Sequence, residues 1–501
     1  MNGRTPGKEE PVLLAALVVL AWISGWLLAW QSATPESFRF AGITADRLSA
    51  ALTLLVASVG AVTFRFSQRY LDGEPGRRRF LLWLSFTVVA AYLLMLSTNL
   101  VLMFTAWSLT SLGLHRLLTH YRDRPEATRP ARKKFLISRF GDVALVSAIV
   151  LIWRGWGTLD LHVFLERVAA SPESATASAV GILVVVAALT KSAQFPFHSW
   201  LPETMEAPTP VSALMHAGII NAGGALLLRF APLIVRVPEA MLVLSCVGTF
   251  TVVLGMLAMW AQVKIKRTMA WSTVNQMGFM MIQFSLAAFP AAALHIVGHG
   301  FYKAWSFLKS GEVPAPVVSA SSASPARTLA LVVVGTGLSV PAILLASWVT
   351  GFAPLHSPGE LALSAIVALS AGQLWVAWLG APASGRASTL TRSASAFLAT
   401  VVVVISAFAL YRGAGAFLVP VLGELPAPAG SLAWAAAILP VIALALLTVI
   451  QAMLPALGHS SSGRAFYVHA LHGFYFGAVA DRIVDAIWGR LFTHTKEVTH
   501  V

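Results

Sequence analysis

The sequence predicts an all-α fold, a polytopic membrane helix bundle of about 13–14 spans with broken helices. Three observations carry that prediction. First, 57% of the 501 residues are hydrophobic and only 11% are charged, where a soluble domain of ordinary composition carries about 25% charge. So much apolar surface cannot be buried in one water-soluble core, which excludes a cytosolic enzyme and a disordered chain. Second, the apolar residues fall in runs of about 20, the length that crosses the hydrocarbon of a bilayer. Third, one such run holds Lys191, Pro196 and Pro202. Proline breaks the helical ladder, and a bilayer tolerates this only where protein or a hydrated cavity takes up the freed backbone groups.

Taken in order, the polar start Met1 to Glu10 precedes a tryptophan-containing run over 11–31. No small-residue cleavage site follows a short apolar region, so this run reads as a retained first span and not as a signal peptide. Further spans are expected at 45–66, 80–98, 99–120 and 136–153. The discontinuous segment 178–206 comes next, apolar from Val180 to Leu189 and then interrupted by the lysine and prolines. Spans at 208–230, 239–262, 267–289, 291–310, 326–349, 360–381, 393–413 and 431–455 complete the membrane domain, residues 1–455. Between them, 154–175 is expected to be a short external loop, and the Pro-, Ser- and Ala-rich stretch 312–326 a linker that divides the helical part in two. Residues 456–501 form a cytoplasmic tail in which Phe466, Val468, Ala470, Leu471, Phe474, Ile483, Ile487 and Leu491 mark an amphipathic helix, fit either to lie along the membrane or to dock a partner. Broken segments around Lys191 and around His295 occupy comparable places in two successive sets of spans, as inverted repeats do in transporters.

The formal net charge is +14, from 35 Lys+Arg and 21 Asp+Glu. In a soluble chain that would suggest nucleic acid; here the basic clusters sit between apolar runs, so no nucleic acid is expected. Arg65, Arg69, Arg77, Arg78 and Arg79, the seven basic residues of 121–139, the Lys264–Lys266–Arg267 cluster, and Arg386 with Arg392 all fall on one side by the span count. The positive-inside rule makes that side cytoplasmic, with both termini on it. Cys246 is the single cysteine, so no disulfide, iron–sulfur cluster or zinc ribbon can be built within this chain. No cofactor is expected in it; metal chemistry, if present, belongs to a partner.

Ionisable groups at membrane depth are costly and are normally paired or functional. Lys191 lies beside the prolines that mark a break, which favours reversible proton exchange over snorkelling to the interface. His216 has a relay role and a core role open to it in equal measure. His295 and His299 stand four apart, and Lys303 continues the same helical face. That stripe suits a proton relay better than a metal site, which wants three or four ligands. Lys266, next to Lys264 and Arg267, reads on its own as positive-inside charge. Asp142 follows Arg139 at the start of a span, as an N-cap or as the partner of a buried cation. Glu203 and Glu206, in the proline-rich turn after Lys191, form the cytoplasmic mouth of a channel or simply face water.

Taken together these residues are specific. KSAQFPFHSWLPETMEAPTPVSALMH, running from Lys191 to His216, resembles the signature of the proton-conducting antiporter-like membrane subunits, the family of the NuoL-type subunit of complex I and of the Mrp antiporter subunits. TADRLS from Thr44, SRFGDV from Ser138, KIKRTMAWSTVNQMG from Lys264 and LHIVGHGFYKA from Leu294 are similar to that family in the same order, over residues 40–311. The resemblance implies an antiporter-like inverted-repeat core, with Lys191 as the channel lysine of the first broken helix and Lys266, His295, His299 and Lys303 in a central polar axis. Two departures stand out. NuoL-type subunits carry a glutamate after the tryptophan of the fourth span, where this chain has Trp107-Ser108, and their late lysine has no counterpart between Lys309 and Lys496. With these departures, the WSLTSL stretch from Trp107 and the FYVHALHGFY stretch from Phe466 resemble the branch that energises inorganic-carbon accumulation. That branch implies an H+ or Na+ gradient as driving force and, as partner, a cytoplasmic DabA-like zinc protein that hydrates CO2 to bicarbonate. A stand-alone or Mrp-type antiporter subunit, a subunit of a redox-driven proton pump, and a haem protein using His295 and His299 are the rival readings.

Overall fold

The computed structural model describes residues 9–34, 36–170, 174–312, 324–380 and 389–492, the last four by backbone alone. The chain runs through α1 (Glu9–Ala33), a small antiparallel hairpin of β1 (Phe38–Phe40) and β2 (Ile43–Ala45), α2 (Arg47–Tyr70), α3 (Arg77–Leu96) and α4 (Leu100–Leu118). It continues with α5 (Pro125–Trp156), α6 (Leu161–Ala170), α7 (Ala175–Lys191), α8 (Thr209–Ala217), α9 (Ala222–Arg229), α10 (Ala231–Ile234), α11 (Pro238–Trp260), α12 (Ile265–Ser285) and α13 (Phe289–Leu308). The last elements are α14 (Pro325–Thr350), α15 (Pro358–Leu379), α16 (Thr389–Leu422), α17 (Ser431–Leu457), α18 (Ser461–Leu471) and α19 (Phe476–Phe492). Every predicted span contains α-helix, which in 178–206 ends at Lys191. Among the described residues, ten helical segments are long and apolar enough to cross a membrane; α4, α7, α12 and α13 fall short in length or hydropathy, and the last three hold most of the titratable residues singled out in the sequence.

Outward faces are apolar, with Trp22 and Trp348 77% and 84% exposed, as expected of helices whose solvent is lipid. Side-chain caps start several helices. Asp46 and Ser49 form a reciprocal capping box at α2, Asn99 caps α4, and Ser357 caps α15. The core packs α2, α3, α4, α5, α7, α8, α11, α12 and α13 together, while α14 to α17 form a second group that leans on α11 and α13. The tight α11–α12 crossing depends on Gly248 and Gly278. A Cβ on either would lie within 3 Å of the other's carbonyl oxygen, so glycine is what lets these two backbones touch.

Four expectations are corrected. Residues 125–139 are not loop: helix α5 begins at Pro125, which fits the fixed φ of proline at a first helical turn. Within the expected external loop 154–175 the chain forms α6. No break occurs at His295, because α13 runs uninterrupted and its proline, Pro290, sits in the first turn. The second break falls in the 208–230 segment, between α8 and α9, where Gly218 and a short 3-10 turn over Ile219–Asn221 interrupt the helix. Most of the expected linker, residues 313–323, and Arg386 lie outside the described residues.

The tail is two helices, not one, reversing at Phe474 and Tyr475, both with positive φ. It docks on α5, α11 and the segment after α7. Phe476 packs edge-on against Phe195 at 5.1 Å between ring centroids, and Gln262 donates to the Leu471 carbonyl. Ala470 and Val484 face inward, whereas Phe466, Val468, Ile483 and Ile487 face out. The clamp is Lys133, fully buried, with its Nζ 2.7 Å from Glu203, 2.8 Å from Asp481 and 3.3 Å from the Gly477 carbonyl oxygen, to which it donates. Removing one partner of such a buried pair costs about 3–5 kcal/mol. Lys133→Met is therefore expected to release the tail, raising the rate of limited proteolysis between α17 and α18 at least tenfold. Unchanged protection would show that the apolar contacts suffice. At the other end, Glu9 and Glu10 of α1 pair with Arg78 and Arg77, so both ends of the described chain lie on the face that carries the basic connections.

Candidate functional site

Two clusters of buried titratable side chains lie inside the bundle, and the broken segments join them. The first is built where α7 stops. Lys191 is its last residue; the chain then turns through Ala193, at positive φ, and a cis Phe195–Pro196 bond. Backbone and side-chain groups exposed by the break find partners nearby: Phe195 N–H donates to the Thr251 hydroxyl, and the Ser192 hydroxyl donates to the Ile220 carbonyl in the second break. Lys191 Nζ donates to the Trp107 carbonyl oxygen at 3.0 Å, to Thr110 Oγ1 at 2.8 Å and to Ser111 Oγ at 3.0 Å, and lies 4.3 Å from the centre of the Trp107 ring. Three neutral acceptors from α4, with the indole face, thus surround the amine. Ser108 itself takes no part; its hydroxyl is buried without a partner.

Asp142 is neither an N-cap nor a direct partner of Lys191, because α5 begins 17 residues before it. One carboxylate oxygen accepts from Trp107 Nε1 at 3.1 Å and the other lies 2.6 Å from Arg139. It thus holds the indole that Lys191 touches. Lys134, read in the sequence as loop charge, is buried one helix away, its Nζ donating to the Ser111 carbonyl oxygen at 2.8 Å. Glu203 is committed to Lys133, and Glu206 pairs with Arg124 at 3.1 Å on the exposed surface.

The second cluster runs along α13. His295, His299 and Lys303 recur every fourth residue, covering about 12 Å of helix. His295 Nδ1 lies 2.9 Å from Gln283 Oε1, and its ring is 5.7 Å from that of His299. Both nitrogens of the buried His299 lack a hydrogen-bond partner among the described residues. Lys303 Nζ donates to Ser272 Oγ at 2.9 Å and to the Met269 carbonyl oxygen at 3.2 Å. His216 stacks on Phe307 at 4.3 Å, with no partner for Nδ1 among the described residues. Its neighbour Met215 lines the small cavity shared by Lys191 and Lys134, so α8 spans from one cluster to the other. Lys266 is half-buried in the first turn of α12 and, among the described residues, makes no side-chain hydrogen bond or ion pair; it lies one turn before Met269. A third feature was not singled out in the sequence: Arg229, directly after Leu226-Leu227-Leu228, forms a buried pair with Asp46, with contacts of 2.5 and 3.3 Å.

The chemistry open to this arrangement is proton exchange. A charged lysine amine donates to the carbonyl and hydroxyls around it, and a neutral one can accept from those same hydroxyls, so neither state leaves an unpaired buried group. Lys191 and Lys303 both have this surround. Among the described residues, no group of three or more His, Cys, Asp and Glu could hold a metal ion.

Comparison with known proteins fits this geometry. The transmembrane family described as NADH:quinone oxidoreductase/Mrp antiporter matches residues 97–381, more than half of the chain. The probable inorganic carbon transporter subunit DabB2 of Halothiobacillus neapolitanus is 44% identical over 272 residues, 54% of this chain and 49% of that protein. The probable inorganic carbon transporter subunit DabB of Hydrogenovibrio crunogenus is 39% identical over 268 residues, 53% of this chain and 52% of that one. The matches thus span about half the length of these curated relatives. Among solved structures, a chain of the Mrp complex from Dietzia sp. shares the fold with a TM-score of 0.54 at 24% identity, over 98% of this chain and 60% of that chain. A chain of the archaeal membrane-bound sulfane sulfur reductase does so with a TM-score of 0.56 at 16% identity, over 96% and 95%.

Proposed function

The chain belongs to the NADH:quinone oxidoreductase/Mrp antiporter transmembrane family, and from that premise we propose that it is a proton-translocating membrane subunit that energises inorganic-carbon uptake by a bound zinc protein. It is a multi-pass membrane protein; in this reading it sits in a bacterial inner membrane with its basic face, and both ends, in the cytoplasm. The observation that carries the reading is the line of titratable groups from the half-buried His295 through the buried His299, Lys303 and His216 to Lys191, with a break in the helices at the junction.

Protons arriving from the face opposite the basic connections load His295, pass His299 to Lys303, and reach Lys191 by way of His216. Charge at Lys303 and charge at Lys191 oppose one another across α8, so each arrival favours release at the next site. Nitrogen bases and hydroxyls bind protons; sodium sites in transporters are built of oxygens, often from unwound backbone. Among the described residues no carboxylate touches Lys191 or Lys303, which favours H+ over Na+ as the driving ion. Lys266, Glu203 and Glu206, all toward the basic face, form the way out to the cytoplasm. Carbon chemistry, CO2 hydration to bicarbonate, belongs to a cytoplasmic DabA-like partner that holds the zinc, and this chain makes that hydration one-way. Support for this assignment comes from the names of the relatives and from the replacement of a channel glutamate by neutral acceptors.

Expressed with its partner, the chain is expected to let a carbonic-anhydrase-deficient bacterium grow in ordinary air, and an uncoupler at sub-lethal dose is expected to remove that growth. Growth that survives the uncoupler, or no rescue alongside co-purifying iron–sulfur proteins, would point to a redox-driven pump instead.

A further inference from the structure

We propose that Lys134 is a second proton-carrying lysine, working as a like-charged pair with Lys191 through Ser111; this rests on the reading of Lys191 as a pathway residue. Ser111 serves both amines, its carbonyl oxygen accepting from Lys134 at 2.8 Å and its hydroxyl from Lys191 at 3.0 Å. The two side chains are 4% and 8% exposed and border one small cavity, together with Ser138, Thr190 and Trp200. Lys134 has three donors as an ammonium and a single acceptor among the described residues.

Among the described residues, this pair has no counter-ion in contact. Facing Lys134 are Lys191 from α7, His115 from α4, and Arg139 and Asp142 from its own helix. Asp142 is taken by Arg139 and Trp107, and the adjacent Lys133 takes Glu203 and Asp481. Two ammonium groups held one serine apart away from water repel strongly. A glutamate–lysine pair switches by gaining and losing attraction; a lysine–lysine pair switches by gaining and losing repulsion. Here, the N–H bond that breaks on Lys191 is matched by one that forms on Lys134, directly or along the hydroxyls and water of the cavity, and no electrons move. Lys134 is nearer than Lys191 to the start of α5 on the basic face, so it relays the proton outward. This pair supplies the switching element that Ser108 cannot.

The test uses the purified complex of full-length chain and partner in proteoliposomes, with an imposed pH difference and a pH-sensitive dye in the lumen. Lys134→Gln is expected to cut the initial proton flux at least tenfold while co-purification and thermal stability stay normal. Lys134→Arg, which keeps a cation and a donor for the Ser111 carbonyl but does not give up its proton, is expected to be equally slow. Lys134→Met, without a donor left to satisfy, gives the same reading if the glutamine variant assembles poorly. Flux within twofold of the unmodified complex in Lys134→Gln or Lys134→Met, or restored flux in Lys134→Arg, would reduce Lys134 to an anchor and overturn the proposal. Lys191→Ala in the same assay separates the two levels. If it too conducts normally, the pathway reading itself fails; if it alone is inactive, only the lysine pair does.

Discussion

Lys191→Ala is expected to abolish the proposed proton translocation, with a flux at least a hundredfold below that of the unmodified complex, while the subunit still folds and binds its partner. Loss of function follows from the position of the amine: it sits at the end of α7, where the helices break, and removal interrupts the only buried line of exchangeable groups that reaches that break among the described residues. Survival of the fold follows from what the amine leaves behind. Thr110 Oγ1 already donates to the Trp107 carbonyl at 2.7 Å, and Asp142 still holds the indole, so no buried acceptor is stranded without a neighbouring donor. Dye-reported flux in proteoliposomes, with the amount of co-purified partner as the control, reads both halves of this prediction. Full flux in a correctly assembled Lys191→Ala complex would remove Lys191 from the pathway.

Arg229→Met is the opposite case, a large loss of stability at a site with no assigned transport role. Asp46 caps α2 through the Ser49 amide, and its carboxylate is bound by both terminal nitrogens of Arg229; Nη2 also donates to the Met95 carbonyl at 3.2 Å. One guanidinium therefore ties α9 to the start of α2 and the end of α3. Taking it away leaves a carboxylate buried in an apolar site, a cost of about 3–5 kcal/mol. The expected result is a clear fall in the melting temperature of the purified complex and in the yield of folded protein, with partial recovery in Asp46→Asn/Arg229→Met, because the stranded charge is gone. A melting temperature unchanged in the single variant would mean that water reaches this pair.

The sequence made the membrane helices and the stripe from His295 to Lys303 legible because charge is so scarce that each intramembrane exception stands out. The break at Lys191 was legible through its prolines. Other features were hidden for physical reasons. Lys133 and Lys134 sit in a run of arginines that looks like positive-inside loop, and only tertiary packing turns them inward, one to clamp the tail and one toward Lys191. The second break has no proline; Gly218 marks it weakly, and a glycine in an apolar helix more often serves close packing. Thr110 and Ser111 follow Trp107 at three- and four-residue spacing, so they fall on the same face as the Trp107 carbonyl. That spacing is a signal in the sequence for neutral acceptors beside Ser108. The tail's reversal at Phe474 and Tyr475 was illegible because aromatic residues rarely adopt positive φ.

On the proposed reading, proton flow through Lys191 drives carbon accumulation. Right-side-out membrane vesicles from cells making the chain and its partner, given an inward proton gradient and radiolabelled inorganic carbon, test it in one measurement. The predicted result is accumulation above passive equilibrium that collapses with uncoupler and is absent from Lys191→Ala vesicles. Accumulation that is independent of the gradient, or equal in the Lys191→Ala vesicles, would contradict it.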